Sequence, residues 1–295
     1  MTRVRLLLIG CVLGACGSAA PAADGAWSWH FVPGEPHVYL YSVQDQTSFE
    51  SAGDKLSYTS SFSWKLVLAR HDVPAVDGKI ALGVSILRIT ASLDGPASHH
   101  AIDTDAPSSE ARHDPLFGHL FDLNGAGFVL LLDPLTGVVS SVSGGEQVAA
   151  RIAKSEPSAF SDDEPSPLEA AARAAYSSQA LSAVYSQLMA LPLGGSQEVA
   201  LTPPLHGSLI RVWNGGQYAL GLPAGTTALP ITLGNGPLAV TGTISEVVGQ
   251  GNVTPHRGVP GTADGHLSFT LTLTALTQPV VEHQVVTWTM HEIQP

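Results

Sequence analysis

The chain has 295 residues, of which 44% are apolar but only 13% are charged. The apolar share is that of a globular protein with a sizeable core, whereas the charged share is about half of the usual value. The formal net charge of −12 is not offset by any basic cluster, so it argues against a nucleic-acid partner. Low charge together with many Thr, Val and Gly residues favours sheet over helix.

The amino terminus has the pattern of an export signal. Arg3 and Arg5 precede an apolar run, Leu6 to Ala15, which has the length of a signal-peptide core and is too short to span a bilayer. The segment Leu13-Gly14-Ala15-Cys16 resembles the lipobox of bacterial lipoproteins. This resemblance implies lipidation of Cys16 and cleavage of the chain before it.

These signals divide the chain into three parts. We predict a signal peptide with lipobox at residues 1–16, a flexible tether at 17–26 and a single β-rich domain at 27–295. The alternative is an ordinary signal peptide cut near Ala22, which would discard Cys16. Both cysteines precede the tether, so the domain itself contains no disulfide.

Three long segments of alternating polarity open the domain, at residues 37–49, 55–71 and 79–92. They predict strands about twice the usual length, and a sheet this long with one apolar face should curve into a trough. Five aromatic residues on that face are candidate ligand-lining residues: Tyr39, Tyr41, Tyr58, Phe62 and Trp64. The alternative is that these side chains are simply core.

Residues 93–114 have the composition of a loop and contain His99-His100-x-x-Asp103-x-Asp105. Imidazole and carboxylate groups bind divalent cations, so His99, His100, Asp103 and Asp105 are weak metal-ligand candidates. Adjacent histidines in a loop lack a fixed ligand geometry. A plain polar loop is therefore the preferred interpretation, and we assign no metal.

One helix is predicted at residues 166–191, with Ser166 as its N-cap and an apolar stripe that includes Leu181, Tyr185 and Leu188. It separates two strand-rich halves, 27–154 and 192–295. The fold class is therefore α+β, mostly β, with long curved antiparallel sheet packed on one central amphipathic helix. In the second half, the Gly- and Pro-rich segment 251–265 is predicted to be a long loop.

The sequence contains no recognised catalytic signature. There is no Gly-x-Ser-x-Gly elbow, no Ser three residues before a Lys, no phosphate-cradling Gly-Lys-Ser/Thr loop and no His-Glu-x-x-His. We therefore predict a protein that is not an enzyme and that uses no cofactor.

Several short motifs resemble an uncharacterised family of bacterial exported proteins, known only as a domain of unknown function. They include Tyr39-x-Tyr41, Asp45-Gln46, Asp77-Gly78, Arg88-Ile89, Asp103-Thr104 and Leu191-Pro192. That family has a Gly and a Trp after the Leu-Pro pair; here Gly194 and Gly195 are present and the Trp is not. The resemblance implies an envelope protein without a known activity.

The sequence thus predicts an exported, lipid-anchored cell-envelope protein with a non-enzymatic role that is structural or adhesive. It would face the periplasm or sit at the outer membrane, with the membrane as partner through its lipid. The first alternative is a carrier that binds an apolar small molecule or lipid in the sheet trough. The second alternative is an envelope hydrolase without a recognised motif.

Overall fold

The computed structural model describes residues 27–51, 54–73, 76–155, 167–192, 194–200, 208–233, 240–274 and 279–293. The predicted signal peptide at 1–16, with Cys16, and the tether at 17–26 lie outside the described residues, as does the predicted helix cap Ser166. Within the described ranges, no helix is both long enough and apolar enough to cross a membrane.

Strands make up most of the described chain, as the sequence predicts. The strands are β1 (Pro36–Ser51), β2 (Asp54–Arg70), β3 (Ile80–Gly95), β4 (Ser98–Asp103), β5 (Gly127–Leu132), β6 (Val139–Ser143), β7 (Ser196–Ala200), β8 (Ser208–Asn214), β9 (Gln217–Gly221), β10 (Ala228–Leu233), β11 (Val240–His256), β12 (Val259–Leu273) and β13 (Val280–Ile293). The helices are α1 (Ser109–Arg112), α2 (Gly145–Ser155), α3 (Pro167–Ala175) and α4 (Ser178–Leu188), with a 3-10 helix at Gly118–Leu123.

These strands form one large antiparallel sheet, which confirms the predicted sheet type. The strand order is β6-β5-β3-β2-β1-β13-β12-β11-β9-β8-β7, while β4 pairs with β3 and β10 pairs with β11 beside this path. The first and last strands of the described chain meet in the middle of the sheet, where Val38 of β1 lies opposite Ile293 of β13.

Alternating side chains give the sheet two different faces. In β2, Phe62, Leu66 and Leu68 are buried, whereas Ser63 and Lys65 between them are partly exposed. The register continues this division across the neighbours, because Val43 of β1 lies opposite both Phe62 and Trp288. We call the apolar face the one that carries Tyr39, Val43, Phe62, Leu267, Val286 and Trp288, and the polar face the opposite one.

The predicted single helix at 166–191 is not confirmed, because the chain forms two helices there, α3 and α4. The break lies at Tyr176 and Ser177. Ser177 has an extended backbone, and its hydroxyl accepts a 3.2 Å hydrogen bond from the Ala180 N–H, so it caps the start of α4. Gly145 also lies so close to the Tyr176 carbonyl that a Cβ there would be 2.0 Å from the oxygen.

Helix α4 is also more deeply buried than an amphipathic helix would be. The predicted stripe residues Leu181, Tyr185 and Leu188 are buried, and so are the polar residues Ser186 and Gln187. A helix that is covered on nearly every side is a core element. The apolar stripe therefore identified part of the buried surface of α4, and small and polar side chains form the rest.

Helix α4 touches the sheet at two distant places. It covers the edge strand β6, where Ser178 and Ser186 hydroxyls accept hydrogen bonds of 2.9 and 2.8 Å from the backbone N–H groups of Val142 and Val139. Gln187 donates a 3.3 Å hydrogen bond to the Tyr218 hydroxyl on β9. Edge strands with uncovered N–H groups invite pairing with other chains, so the serines also protect this edge.

These two contacts require a strongly curved sheet. Seven strands lie between β6 and β9 in the sheet order. In a flat sheet this would separate β6 and β9 by about 38 Å, whereas a helix is only about 10–12 Å wide. The sheet must therefore curve enough for β6 and β9 to approach the same helix, and we call the space on its apolar face the trough.

Two segments predicted to be loops are strands. Part of 93–114 forms β4, which places His99 opposite Asp94 of β3. The predicted loop at 251–265 is instead the end of the β11–β12 hairpin, which turns tightly at Arg257 and Gly258, both with positive φ. The glycines in this hairpin are not signs of a long loop. They lie where large aromatic rings come close to the backbone, at Gly251 and Gly265.

Candidate functional site

A continuous row of aromatic rings lies on the apolar face where β1 meets β2. Tyr41 stacks on Trp64 with ring centroids 5.5 Å apart, and Trp64 stacks on Phe62 at the same separation. Phe117, from the segment before the 3-10 helix, meets Phe62 edge-on at 5.7 Å. Cross-strand register brings these rings together, since Tyr41 lies directly opposite Trp64.

The two remaining aromatic candidates extend this row towards either end of β1. The Tyr39 side chain is completely buried, and burial raises the pKa of its hydroxyl. Tyr58 packs edge-on against Phe49 at 5.8 Å, and its ring lies over Gly95, where a Cβ would be 2.6 Å from the ring. The structure therefore places all five predicted lining residues on one face of two adjacent strands.

The opposite side of the trough has a second aromatic group, on β8, β9 and β13. Tyr218 and Trp213 pack at 4.8 Å between centroids. A Cβ at Gly251 would lie 2.3 Å from the Tyr218 ring, and a Cβ at Gly265 would lie 2.3 Å from the Trp288 ring. Glycines at these positions let both rings lie flat on the strands.

The apolar face also contains a buried carboxyl group, Asp45, which is only 2% exposed. Its Oδ2 accepts a 3.2 Å hydrogen bond from the Thr47 hydroxyl. Burial raises the pKa of Asp45 to about 6; the bond from Thr47 opposes this rise and the nearby charge of Glu282 adds to it. Among the described residues, Oδ1 of Asp45 and the Ser60 hydroxyl have no hydrogen-bond partner.

The four metal-ligand candidates lie in three separate surroundings. His99 contacts Asp94 at 2.5 Å, and His100 contacts Asp114 at 2.8 Å. Asp103 and Asp105 both lie near the Arg88 guanidinium. In the part of the chain that the structure describes, no group of three or more His, Cys, Asp or Glu side chains could hold a metal ion.

Two polar arrangements were not found in the sequence. Glu292 joins three strands, because its carboxylate accepts hydrogen bonds from His37 at 2.8 Å and His256 at 3.0 Å. Burial acts to raise the pKa of Glu292, but these two bonds lower it overall. The second arrangement is Arg211, a buried cation on β8. No local sequence motif indicates either arrangement.

An open groove of about 600 Å³ lies over the middle of β1, β2, β3 and β13. Small hydroxyl side chains supply much of its lining, including Ser42, Ser63, Thr90, Ser92 and Thr289. Ser42 and Ser63 hydroxyls hydrogen-bond to each other at 2.9 Å. No charged side chain is among the lining residues. The groove therefore offers hydroxyl groups and apolar contacts but no charged group.

Comparison with known proteins gives no family. No protein-family profile matches the chain, and no curated protein sequence matches it. Similarity in shape to solved structures is limited. Lipovitellin, from a study of its lipid–protein interactions, matches 90% of this chain at 10% identity with a TM-score of 0.41. This chain spans only 26% of the lipovitellin chain.

The other two structures are less similar. DynF, from the dynemicin biosynthesis pathway of Micromonospora chersina, matches 96% of this chain and 90% of its own at 10% identity, with a TM-score of 0.20. The MucA/MucB complex of Pseudomonas aeruginosa matches 86% of this chain and 89% of its own at 12% identity, with a TM-score of 0.14. Similarity of this extent establishes no shared family.

Proposed function

We propose that this protein is an exported, non-enzymatic carrier, anchored to the cell envelope through a lipid on Cys16, that binds an apolar or amphipathic molecule in the trough. The observation that carries the proposal is the polar content of the apolar face. Among the described residues, the Tyr39 hydroxyl, Asp45 Oδ1 and the Ser60 hydroxyl are buried there without hydrogen-bond partners, as is Gln187 Oε1 on α4.

A sealed apolar core would not hold so many unpartnered groups. Each buried polar atom without a partner costs about 1–3 kcal/mol, and native cores contain few of them. A bound molecule with its own polar atoms, or water that accompanies it, would satisfy these groups. The same residues that destabilise an empty trough would then contribute to ligand binding.

The length of the strands relative to α4 also favours such a molecule. Helix α4 has 11 residues and is about 16 Å long, whereas β1 has 16 residues and is about 53 Å long. The helix can therefore occupy only about a third of the length of the strands. Tyr41 and Trp64 are only partly buried against the core. An elongated apolar chain suits a space of this shape.

Fluorescence of the tryptophans on the apolar face tests the proposal. A dibrominated stearate would be titrated into the purified full chain without detergent, because bromine quenches indole fluorescence only at contact. We expect saturable quenching that is reduced in a Trp64→Phe variant. Trp27, which is 38% exposed, provides the matched control, and Trp27→Phe should leave the saturable part unchanged.

The same titration separates the carrier from a structural or adhesive envelope role. Ordinary stearate should reverse the quenching by competition if both molecules occupy one site. Quenching that is weak, linear in concentration and equal in the Trp64 and Trp27 variants would mean that the trough takes no ligand. That result would leave the structural role as the better explanation.

A further inference from the structure

Arg211 is a buried cation for which the described residues provide no acidic partner. It lies on the inward side of β8 between Ile210 and Val212, and the residue is only 3% exposed. Its guanidinium carbon is 4.9 Å from the centroid of the Tyr218 ring and 5.6 Å from that of Trp213. Among the described residues, its Nε and Nη2 groups have no hydrogen-bond partner.

The surroundings of Arg211 stabilise its charge only in part. Aromatic faces attract a guanidinium, but they accept no hydrogen bond in its plane. Burial lowers the pKa of Arg211, although an arginine remains charged in proteins at neutral pH. A buried cation whose N–H groups have no acceptor is strongly unfavourable unless an anion reaches it.

A second unpartnered polar atom lies at the same aromatic ring. Gln187 of α4 donates from Nε2 to the Tyr218 hydroxyl, and its Oε1 has no partner among the described residues. Tyr218 is therefore flanked by the Arg211 cation and by a buried amide. This concentrates polar groups at one place on a face that is otherwise lined mainly by apolar side chains.

We infer that Arg211 binds the anionic headgroup, a carboxylate or phosphate, of an amphipathic molecule whose apolar tail lies along the trough. The inference rests on the proposed function and adds to it the chemical class of the ligand. The planar fork of N–H donors on arginine matches two oxygens of a carboxylate or phosphate. Tyr218 and Trp213 hold the guanidinium in place, and Gln187 would contact the same headgroup region from the helix.

The test compares two brominated probes that differ only at the headgroup: dibrominated stearate and the dibrominated alcohol of the same chain length. The full-length protein should bind the carboxylate about tenfold or more tightly than the alcohol. In Arg211→Met the two affinities should become equal, with binding of the alcohol unchanged. Replacement of an unpaired buried charge by an apolar side chain of similar length should not lower the thermal midpoint of the empty protein.

Each result has a separate meaning. Equal affinity of the full-length protein for both probes would overturn the role of Arg211 while leaving the carrier proposal intact. Failure of both probes to give saturable quenching would overturn the carrier proposal itself. Displacement of the carboxylate probe by equally low concentrations of acetate or inorganic phosphate would show a site for a free anion, and would overturn the amphiphile assignment.

The comparison does not depend on the Met variant folding, because the preference of the full-length protein for one headgroup is measured without any substitution. Arg211→Lys provides a second variant that keeps the charge but loses the planar fork. We expect the Lys variant to bind the carboxylate probe more weakly than the unchanged protein does. The variant should still bind the carboxylate probe more tightly than it binds the alcohol probe. Unchanged carboxylate binding in the Lys variant would overturn recognition by the fork.

Discussion

Val139 on the edge strand β6 donates its backbone N–H to the hydroxyl of Ser186 on α4, at 2.8 Å and across 47 positions of the chain. Both residues are buried. Ser186→Ala would leave the Val139 N–H without an acceptor, so we expect the free energy of unfolding to fall by about 1–3 kcal/mol in urea titrations. Ser141→Ala, at an exposed position of the same strand, should change it by less than about 0.5 kcal/mol. Equal effects of the two changes would contradict a role for Ser186 in holding the helix to the edge.

Gly265 is required where the Trp288 ring lies flat on β12. A Cβ at this position would be 2.3 Å from the ring and 2.8 Å from the Gln250 carbonyl oxygen. We expect Gly265→Ala to destabilise the protein by about 1–3 kcal/mol or more, because the buried ring and the backbone oxygen have little room to move. Denaturant unfolding followed by tryptophan emission measures this.

Gly221 is the matched control for Gly265, because it is also a strand glycine but the nearest atom to its added Cβ would be 4.0 Å away. Gly221→Ala should be close to neutral. Similar losses for the two variants would show that the cost arises from strand glycines in general and not from the packing of Trp288.

Asp45 should make stability depend on pH in a defined direction. Its pKa in the folded protein is about 6, above the ordinary value of 3.8, so ionisation favours the unfolded chain. The protonated form therefore stabilises the fold fully below the ordinary pKa, and this contribution is lost as pH rises through about 6. Relative to Asp45→Asn, the unchanged protein should lose on the order of 3 kcal/mol across this window.

Urea unfolding at a series of pH values measures this dependence. The exposed Asp72 provides the control, because Asp72→Asn removes one carboxylate outside the core. If the curve of Asp45→Asn were parallel to that of the unchanged protein, the Asp45 carboxyl group would not be buried in the way described.

Cys16 should determine where the protein is found after cell fractionation. With the lipid, the mature chain should sediment with membranes, and Cys16→Ala should move it to the soluble fraction because the acyl chains provide the anchor. Cys11→Ala, within the same leader, is the control and should remain with membranes. Membrane retention of the Cys16 variant would contradict lipidation at that residue.

Periodicity was the most informative part of the sequence. Strict alternation of polar and apolar residues predicted the length of β2 and β3 and placed Tyr41, Phe62 and Trp64 on one face, because side-chain direction in a strand depends only on position. The break before α4 could not be read this way. Ser177 is compatible with a continuous helix in the sequence, and only the structure shows that its hydroxyl caps α4.

Features that depend on distant contacts were missed. Strand β10 was missed because it contains Pro230, and proline argues against a strand inside a sheet. In the structure, β10 pairs with β11, beside the main path of the sheet. His37 and Glu292 are 255 positions apart, so no local pattern links them. Arg211 occupies an inward position of an alternating strand, where a charged residue is normally read as outward-facing.

The pairing of β1 with β13 has a consequence for how the chain acquires its structure. Tyr39 lies opposite Glu292, so the central seam of the sheet joins segments at opposite ends of the described sequence. Contacts of such large sequence separation form late and slowly, because a long loop must close before they are gained. A chain that emerges amino terminus first cannot form this seam until β13 has been released, so β1 lacks one of its two neighbouring strands until then.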